Sequence, residues 1–386
     1  MKKTKINFIS ILIFIFFILG SFIVFADVEN LDYKIRKVEI SGEGEDINKA
    51  TTDASIKALE QVIFTLVQTE EEKNKYSNIR NDFITNVGKY VEKLKIISKS
   101  TTNTGRSVKI LFQVNVESLR KDLIDKKIIS STQELSEKLD NPKIMVFYDT
   151  SRGDKKDSEY SKWSVGRINN YLISQNFKTV DESAIDNLRK DDKLIAQSGG
   201  VKDKLDQAIA LSTKADLYMS VRIQLSIAGK SGDFTYVQTP VEVKAYESSS
   251  GIPFIIKTYQ RLDKNGEPEA LSIKGNLDVS SKVVIEEAVA GVMPKIEEDL
   301  LKHWKSSVAK GRQYVIILDG VTKDKKIKFY ETLKSLCTDI IERDNKYIIR
   351  FKGSFDDLKD NLEEKVSSIG IVMSQTDLGR AIFKSK

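Results

Sequence analysis

Side chains on which many metal and catalytic sites depend are almost absent from this sequence. Its 386 residues include one histidine, His303, and one cysteine, Cys337. One thiol cannot form an intramolecular disulfide, and one imidazole excludes metal sites made of several histidines. Serine–histidine catalysis would have to use His303. We therefore expect no metal, no cofactor and no catalytic residues, and we expect that the protein is not an enzyme.

Disordered stretches are also lacking. Only five prolines occur, and 40% of the residues are hydrophobic while 31% are charged, as in folded proteins. No segment is polar enough to be a disordered tail. The chain is too long for one compact core, and its length indicates two to four domains of roughly 100–200 residues each.

The first 26 residues have the features of a secretory signal peptide. Met1–Lys5 is basic, the 18 residues from Phe8 to Phe25 are mostly apolar, and Val24-Phe25-Ala26 is a small-x-small cleavage pattern. We expect cleavage after Ala26 and export to the periplasm. An uncleaved membrane anchor is the open alternative, because an apolar run of this length approaches the span of a bilayer.

A large excess of one charge is lacking once this segment is set aside. Residues 1–26 hold three lysines and no acidic residue, which leaves 59 basic and 56 acidic side chains. A dedicated nucleic-acid-binding protein would show a basic domain or stripe. We therefore expect no nucleic-acid partner, while peripheral association with a membrane and the oligomeric state stay open.

The remaining sequence divides into three units, of which the first covers residues 31–127. Lys34–Ile40 alternates like a half-buried strand, and a helix with small residues at four-residue spacing follows. Tyr90–Ser100 and Ser107–Val116 alternate around a turn and predict a hairpin. The order is β-α-β-β, a small antiparallel sheet with helices on one face. One amphipathic helix from Val116 to about Leu139 leads out of the unit.

The second unit covers residues 142–310. It opens with Lys143–Tyr148, a continuous apolar run typical of a strand buried on both faces. Helical segments and a strand at Ala215–Val221 follow. Two alternating runs, Thr235–Tyr246 and Pro253–Arg261, come next, and a long amphipathic helix ends the unit. This pattern predicts a mixed sheet.

The third unit covers residues 313–384 and has the order β-α-β-β-α-β, the arrangement of ferredoxin-like folds. The predicted strands are Tyr314–Leu318, Asp339–Arg343, Tyr347–Phe351 and Ile369–Met373, and the predicted helices are Lys325–Leu336 and Phe355–Val366. The fold class of the chain is therefore α+β, with three small α/β units.

Two of these units resemble known domains. Val38–Gly44, followed by a helix with Ala50, Ala54 and Ala58, resembles the N-terminal domain of the flagellar assembly protein T family. The second unit resembles the middle domain of that family, which is similar to the N-terminal domain of TolB. The matching segments there are Lys143–Tyr148, Phe177–Asp181, Ala208–Val221 and Tyr246–Gly251. The resemblance implies a non-enzymatic scaffold or assembly protein in the cell envelope.

Several short motifs look like chemical sites but lack the required context. Ala228-Gly229-Lys230-Ser231 ends like a phosphate-binding loop, yet Gln224 stands where the motif needs glycine. Ser307-Val308-Ala309-Lys310 has a Ser-x-x-Lys spacing without the companion motifs. The adjacent acids Asp191-Asp192, Glu286-Glu287 and Glu297-Glu298 indicate solvated helix faces, since helical neighbours point about 100° apart.

The two rare residues also have structural explanations. His303 lies near a helix C-terminus, where we expect a capping or surface side chain. Cys337 follows two leucines on a helix and is expected to be a small buried hydrophobic residue. An intermolecular disulfide through Cys337 is the open alternative.

Tyr160 and Trp163 are the candidate partner contact. They follow the first strand of the second unit, at the carboxyl edge where open α/β sheets present binding surfaces. The alternative is that Trp163 begins a helix and covers the sheet. The leading functional hypothesis is an exported scaffold that binds other envelope proteins, and the second is a periplasmic carrier or sensor of a small ligand in the middle unit.

Overall fold

The computed structural model describes residues 35–102, 105–149, 155–198, 202–262, 268–274, 277–343, 345–377 and 379–386. The expected signal peptide lies outside these residues. The fold is α+β, with multiple small domains, as the sequence predicts. The limits of the three predicted domains stay predictions, because residues 33–386 cluster as one compact unit.

The N-terminal unit has a three-stranded antiparallel sheet covered by helices. Its elements are β1 (Ile35–Gly44), α1 (Ile47–Leu66), α2 (Glu70–Thr85), a short 3₁₀ helix (Val87–Lys89), β2 (Val91–Thr102) and β3 (Gly105–Asn115). The strand order is β1-β3-β2, with Ile40 opposite Ile110 and Ile110 opposite Ile96. The predicted hairpin is confirmed.

Helix α1 lies against β1 at very short range because its inner stripe is made of alanines. The Asp46 carboxylate caps the helix by accepting a hydrogen bond from the Lys49 amide at 2.8 Å. Ala50 and Ala54 are completely buried. A Cβ atom on Gly42 would lie 2.2 Å from the Ala50 carbonyl oxygen, so this approach requires glycine in β1.

Two helical details of this part of the chain differ from the prediction. Helix α2 was not predicted, because most of its residues are polar, and it begins at a capping box between Thr69 and Glu72. The single predicted helix from Val116 to Leu139 is wrong, since the structure has α3 (Val116–Asp125) and α4 (Thr132–Lys138). Lys127 between them adopts a positive φ of 56°, which ends a helix.

The middle unit contains two sheets. Its elements are β4 (Lys143–Tyr148), α5 (Lys155–Ser174), β5 (Lys178–Thr179), α6 (Glu182–Leu188), α7 (Asp192–Gln197), α8 (Lys202–Ser212), β6 (Leu217–Ile223), β7 (Ser226–Ser231), β8 (Phe234–Gln238), β9 (Val241–Glu247), β10 (Pro253–Tyr259), β11 (Leu271–Lys274) and α9 (Leu277–Lys310). The main sheet has the order β10-β9-β6-β4-β5, and β11-β8-β7 form a second sheet.

The main sheet is mixed, as predicted. Strand β4 runs parallel to β5 and β6, while β9 is antiparallel to both β6 and β10. The predicted strand Thr235–Tyr246 is two strands in different sheets, β8 and β9. Pro240 lies between them and has no N–H to donate to a strand ladder. Helices α5 and α9 pack on the main sheet. Their apolar side chains, including Trp304 on α9, belong to its hydrophobic core.

The C-terminal unit is a five-stranded sheet with two helices. Its elements are β12 (Arg312–Asp319), α10 (Lys323–Leu336), β13 (Asp339–Arg343), β14 (Lys346–Phe351), α11 (Phe355–Ser367), β15 (Ile371–Asp377) and β16 (Arg380–Ser385). The strand order is β13-β14-β12-β16-β15.

The last strand of this sheet is absent from the predicted β-α-β-β-α-β order. Strand β16 lies between β12 and β15 and runs parallel to β12. The sheet therefore departs from a four-stranded ferredoxin-like arrangement. The only sequence signal was the short apolar run Ala381-Ile382-Phe383, of which Ala381 and Phe383 lie on one face of the strand and are completely buried.

Candidate functional site

An ion pair between Asp216 and Arg312 lies where the middle and C-terminal units meet. Asp216 immediately precedes β6, and Arg312 is the first residue of β12. Arg312 Nη2 donates to Asp216 Oδ1, and Arg312 Nη1 donates to the Leu139 carbonyl oxygen at 3.2 Å. The second carboxylate oxygen, Oδ2, accepts from the Lys143 amide at 3.0 Å. Both side chains of the pair are therefore held by a hydrogen bond to the backbone as well as by their opposite charges.

Burial dominates the electrostatics of this pair. Desolvation raises the pKa of the Asp216 carboxyl, and the charge of Arg312 only partly opposes this effect. Burial also raises the pKa of the nearby Tyr314 hydroxyl. The guanidinium of Arg312 compensates the negative charge of the Asp216 carboxylate. Without this partner the buried charge would be strongly unfavourable.

The only histidine faces the same region, and its predicted place as a surface or capping residue is wrong. His303 lies two turns before the end of α9, and its Nε2 atom is 2.5 Å from Glu247 Oε1. Its ring stacks on Phe254, with the ring centroids 4.1 Å apart. Both His303 and Glu247 expose only 13% of their side chains. Glu247 is the last residue of β9, so the contact joins a helix to a strand end.

The turn Ser248–Gly251 borders the same region. Ser248, Ser249 and Ser250 are all buried, at 0%, 7% and 6% exposure. Ser250 Oγ accepts from Gln313 Nε2 at 3.0 Å, and the Ser250 carbonyl oxygen accepts from Lys346 Nζ at 3.0 Å. Ser249 Oγ makes no hydrogen bond within the described part of the chain. The turn therefore packs against the C-terminal sheet and leaves a buried hydroxyl without a partner.

These groups surround a cavity of about 70 Å³, measured as space for the centres of water-sized molecules. We call it the central cleft. Its lining residues are Leu139, Pro142, Asp216, Leu217, Glu247, Ser249, His303, Trp304, Ser307, Arg312, Gln313, Tyr314, Phe355 and Gly379. The volume holds several water molecules or a small polar ligand. Polar and aromatic side chains share the wall.

A second group of buried charges joins the N-terminal unit to helix α9. Glu297 on α9 is 2% exposed. Its carboxylate receives hydrogen bonds from Arg120 on α3 and from the Tyr171 hydroxyl on α5, the latter at 2.5 Å. The prediction that the Glu297-Glu298 pair forms a solvated face is therefore wrong for Glu297. The neighbouring Glu298 lies 3.8 Å from Arg36 on β1.

The same interface contains a buried lysine. Lys305 Nζ lies 2.7 Å from Glu72 Oε1 and donates to the Leu66 carbonyl oxygen at 3.0 Å. Burial lowers the pKa of Lys305, and the Glu72 carboxylate opposes this shift. Glu72 also accepts hydrogen bonds from the amides of Gln68 and Thr69. One carboxylate thus caps α2 and neutralises a cation from the middle unit.

The other acidic pairs have more ordinary places. Asp191 caps α7 by accepting from two backbone amides. Glu286 forms an exposed ion pair with Arg167 at 2.7 Å, and Glu287 lies 2.7 Å from Arg261.

The predicted partner residues occupy different surroundings. Tyr160 is 7% exposed and belongs to the core of the middle unit. Trp163 is half-buried on α5 and packs against that core, with the Arg167 guanidinium 4.6 Å from its ring centroid. Helix α5 begins at Lys155, before Trp163. A partner contact at these residues stays a prediction, and Trp163 is the more accessible of the two.

The remaining sequence candidates are dispersed. Ala228–Ser231 lies in β7, which pairs antiparallel with β8, so no helix follows it as a phosphate-binding loop needs. Ser307 lines the central cleft and is 7% exposed. Cys337 is half-buried at the C-terminal end of α10, and burial raises the pKa of its thiol to about 12.

Two negative findings apply to the described residues alone. They contain no group of three or more histidine, cysteine, aspartate or glutamate side chains arranged to hold a metal ion. No helix in this part of the chain is both long and apolar enough to cross a membrane.

Comparisons with known proteins give no assignment. No protein-family model and no curated protein matches this chain. Among solved structures it is similar to lipoprotein GNA1162 from Neisseria meningitidis, with 10% identity over 40% of this chain and 98% of that chain and a TM-score of 0.26. It is also similar to the hypothetical protein CT253 from Chlamydia trachomatis, with 12% identity, coverages of 42% and 98%, and a TM-score of 0.25.

A third similar structure is the LpoB C-terminal domain from Salmonella enterica. Its sequence identity is 9%, the match covers 38% of this chain and 96% of that chain, and the TM-score is 0.20. Similarities this weak do not indicate a function for this chain. The resemblance to the flagellar assembly protein T family therefore stays a prediction.

Sequence reasoning noticed some members of the central cleft without assigning them a role. Asp216 lies within the predicted strand Ala215–Val221, and Glu247 lies within Tyr246–Gly251, one of the segments that resemble the TolB domain. Arg312 fell between two predicted units. No sequence signal links these three residues, because their contacts depend on how β6, β9 and β12 come together.

Proposed function

We propose that this chain is an exported, non-enzymatic scaffold of the cell envelope that acts through contacts with other proteins. The observation that carries the proposal is the set of buried and half-buried ion pairs between its units. Lys305 with Glu72, and Arg120 with Glu297, join the N-terminal unit to α9. The Asp216–Arg312 pair joins β6 to β12.

These contacts support a scaffold because they hold separate surfaces in one arrangement. Removing one partner of a buried ion pair is strongly destabilising, so the docked arrangement depends on both partners of each pair. Large apolar side chains are exposed on three different elements: Phe64 on α1 at 54%, Ile173 on α5 at 55% and Ile256 on β10 at 58%. Such side chains are suitable anchors for partner proteins.

Export is the second part of the proposal, and it rests on the signal-peptide pattern of residues 1–26. Fractionation of the source cells, followed by the intact mass of the purified protein, tests it. We expect a periplasmic protein whose chain begins at Asp27. A cytoplasmic protein that still begins at Met1 would contradict export. Association with a flagellar complex is a finer proposal, and genes for flagellar proteins beside this gene would support it.

The scaffold role is tested by photo-crosslinking in living cells. A photoreactive phenylalanine analogue is placed at Phe64, Ile173 or Ile256, and at the buried Phe329 as the matched control. We expect a defined envelope protein in the adducts from at least one exposed position and none from Phe329. The Lys305→Met variant should lose or weaken the adduct. The absence of any adduct at all three exposed positions would overturn the proposal.

A small-ligand carrier or sensor is the second candidate, and the central cleft is the observation that favours it. Thermal-shift screening against glycans, lipids and nucleotides separates the two functions. A ligand that raises the melting temperature of the purified chain supports the carrier, and no shift with any compound favours the scaffold alone.

A further inference from the structure

We propose that the central cleft binds a small organic cation that carries a primary ammonium group. The inference does not depend on the scaffold role, because it concerns the purified chain by itself. It rests on the charge of the cleft, on an unpartnered buried hydroxyl and on the aromatic side chains in its wall.

The charges that line the cleft favour a cation. Two carboxylates, Asp216 and Glu247, face one guanidinium, Arg312, and the imidazole of His303. Arg312 is already engaged with Asp216 and with the Leu139 carbonyl oxygen. An entering anion would therefore meet two carboxylates and no free guanidinium. A cation would further neutralise the negative charge of these two carboxylates.

Glu247 offers the direct acceptor. Its Oε1 atom bonds His303, whereas its Oε2 atom takes no hydrogen bond from the described residues. The side chain is 13% exposed and lines the cleft, so it is largely shielded from solvent. Charge-assisted hydrogen bonds are stronger in such surroundings than at an open surface.

Ser249 supplies the second acceptor. The residue is 7% exposed and lines the cleft, and its Oγ atom has no partner among the described residues. The Oγ atom itself has less than 1 Å² of accessible surface, so Ser249 accepts from a bound donor once its side chain rotates into the cleft. A primary ammonium has three N–H donors and no acceptor, which matches a carboxylate and a hydroxyl two residues apart.

Aromatic side chains complete the wall and limit the size of the ligand. Trp304, Tyr314 and Phe355 line the cleft, and the Tyr314 and Phe355 ring centroids are 5.2 Å apart. Aromatic rings attract cations, including alkylammonium groups. The cavity volume of about 70 Å³ admits the ammonium end of a molecule rather than a large cofactor.

The binding test is calorimetric titration of the full chain at low ionic strength. The probes are ethanolamine and Nα-acetyl-lysine amide, with tetramethylammonium and acetate as comparisons. We expect a dissociation constant on the order of millimolar for the primary amines, at least tenfold weaker binding of tetramethylammonium, and no binding of acetate. Tighter binding of the lysine derivative indicates a partner's lysine as the natural ligand, whereas tighter binding of ethanolamine indicates a free amine.

Two variants and one matched control locate the binding. Glu247→Gln should weaken amine binding by roughly 10- to 100-fold, and Ser249→Ala by roughly 5- to 10-fold. Glu242→Gln removes a carboxylate from the same strand, where it forms a half-exposed ion pair with Lys244 and does not line the cleft, and should leave binding unchanged. Ser249→Ala removes only one oxygen, so it tests the site even if Glu247→Gln fails to fold. Failure of every primary amine to bind, or equal losses in all three variants, would overturn the proposal.

Discussion

Lys305 Nζ lies 2.7 Å from Glu72 Oε1, although the two residues are far apart in sequence. Their side chains are only 8% and 10% exposed. The pair joins the end of α9 to the start of α2, and the Glu72 carboxylate at the same time accepts two backbone amides of the α2 cap. The docking of the N-terminal unit is therefore linked to the integrity of a helix terminus.

Loss of Lys305 should destabilise the chain strongly. We expect Lys305→Met to lower the free energy of unfolding by about 3–5 kcal/mol, because Glu72 would remain buried without its cation. The double variant Lys305→Met, Glu72→Gln should recover much of this loss, since the amide still accepts the capping N–H groups. Lys302→Met, at an exposed position on the same helix, should change the free energy of unfolding by less than about 0.5 kcal/mol. Urea unfolding measures all three, and equal effects of the two lysine changes would contradict the prediction.

Substitution of two different glutamates on α9 should have very different effects on the free energy of unfolding. Glu297 is buried between Arg120 and Tyr171, whereas Glu286 forms an ion pair with Arg167 at the surface. We expect Glu297→Ala to cost about 3–5 kcal/mol and Glu286→Ala about 0–1 kcal/mol of unfolding free energy. Denaturant titrations at low and high salt check both values. A cost of Glu286→Ala that matched that of Glu297→Ala would show that burial is not the deciding factor.

Two helical glycines give a test of packing. A Cβ atom on Gly291 would lie 2.2 Å from the Tyr259 ring, whereas one on Gly166 would meet nothing within 4 Å. Gly291→Ala should therefore destabilise the chain by about 1–3 kcal/mol through overpacking. Gly166→Ala should stabilise it by about 0.5–1 kcal/mol, because alanine restricts the unfolded chain and favours helix. Opposite shifts in the thermal melting temperature are the expected result, and shifts of the same sign would contradict it.

The Cys337 thiol should be unreactive in the native chain. Burial raises its pKa to about 12, so the thiolate is rare at pH 8. We expect its reaction with a disulfide reagent to be roughly a hundred- to thousand-fold slower in the folded chain than in urea. The rate should rise as the pH is increased toward 12, since the thiolate is the nucleophile. Native and unfolded rates within a factor of ten of each other would contradict this prediction and would favour an intermolecular disulfide.

The strands and helices were predictable wherever local signals were strong. The alternating and continuous apolar runs located β4, β6 and the hairpin of β2 and β3, because side-chain periodicity reflects which face is buried. Helix α2 was missed because most of its residues are polar, and Tyr76, Ile79 and Phe83 supply its contacts with the core. Strand β16 was missed because it is short and lies at the end of a unit that already had a complete-looking pattern.

The sequence by itself determined the α+β class, the mixed central sheet and the lack of an intramolecular disulfide, because composition and periodicity carry that information. Only the tertiary structure decided which charges are buried. Asp216 and Arg312 are 96 residues apart, and Arg120 and Glu297 are 177 residues apart. An isolated acidic residue on a helix looks the same in sequence whether it faces water or a distant guanidinium. Its burial depends on the packing of elements that share no local pattern, and the central cleft has the same origin.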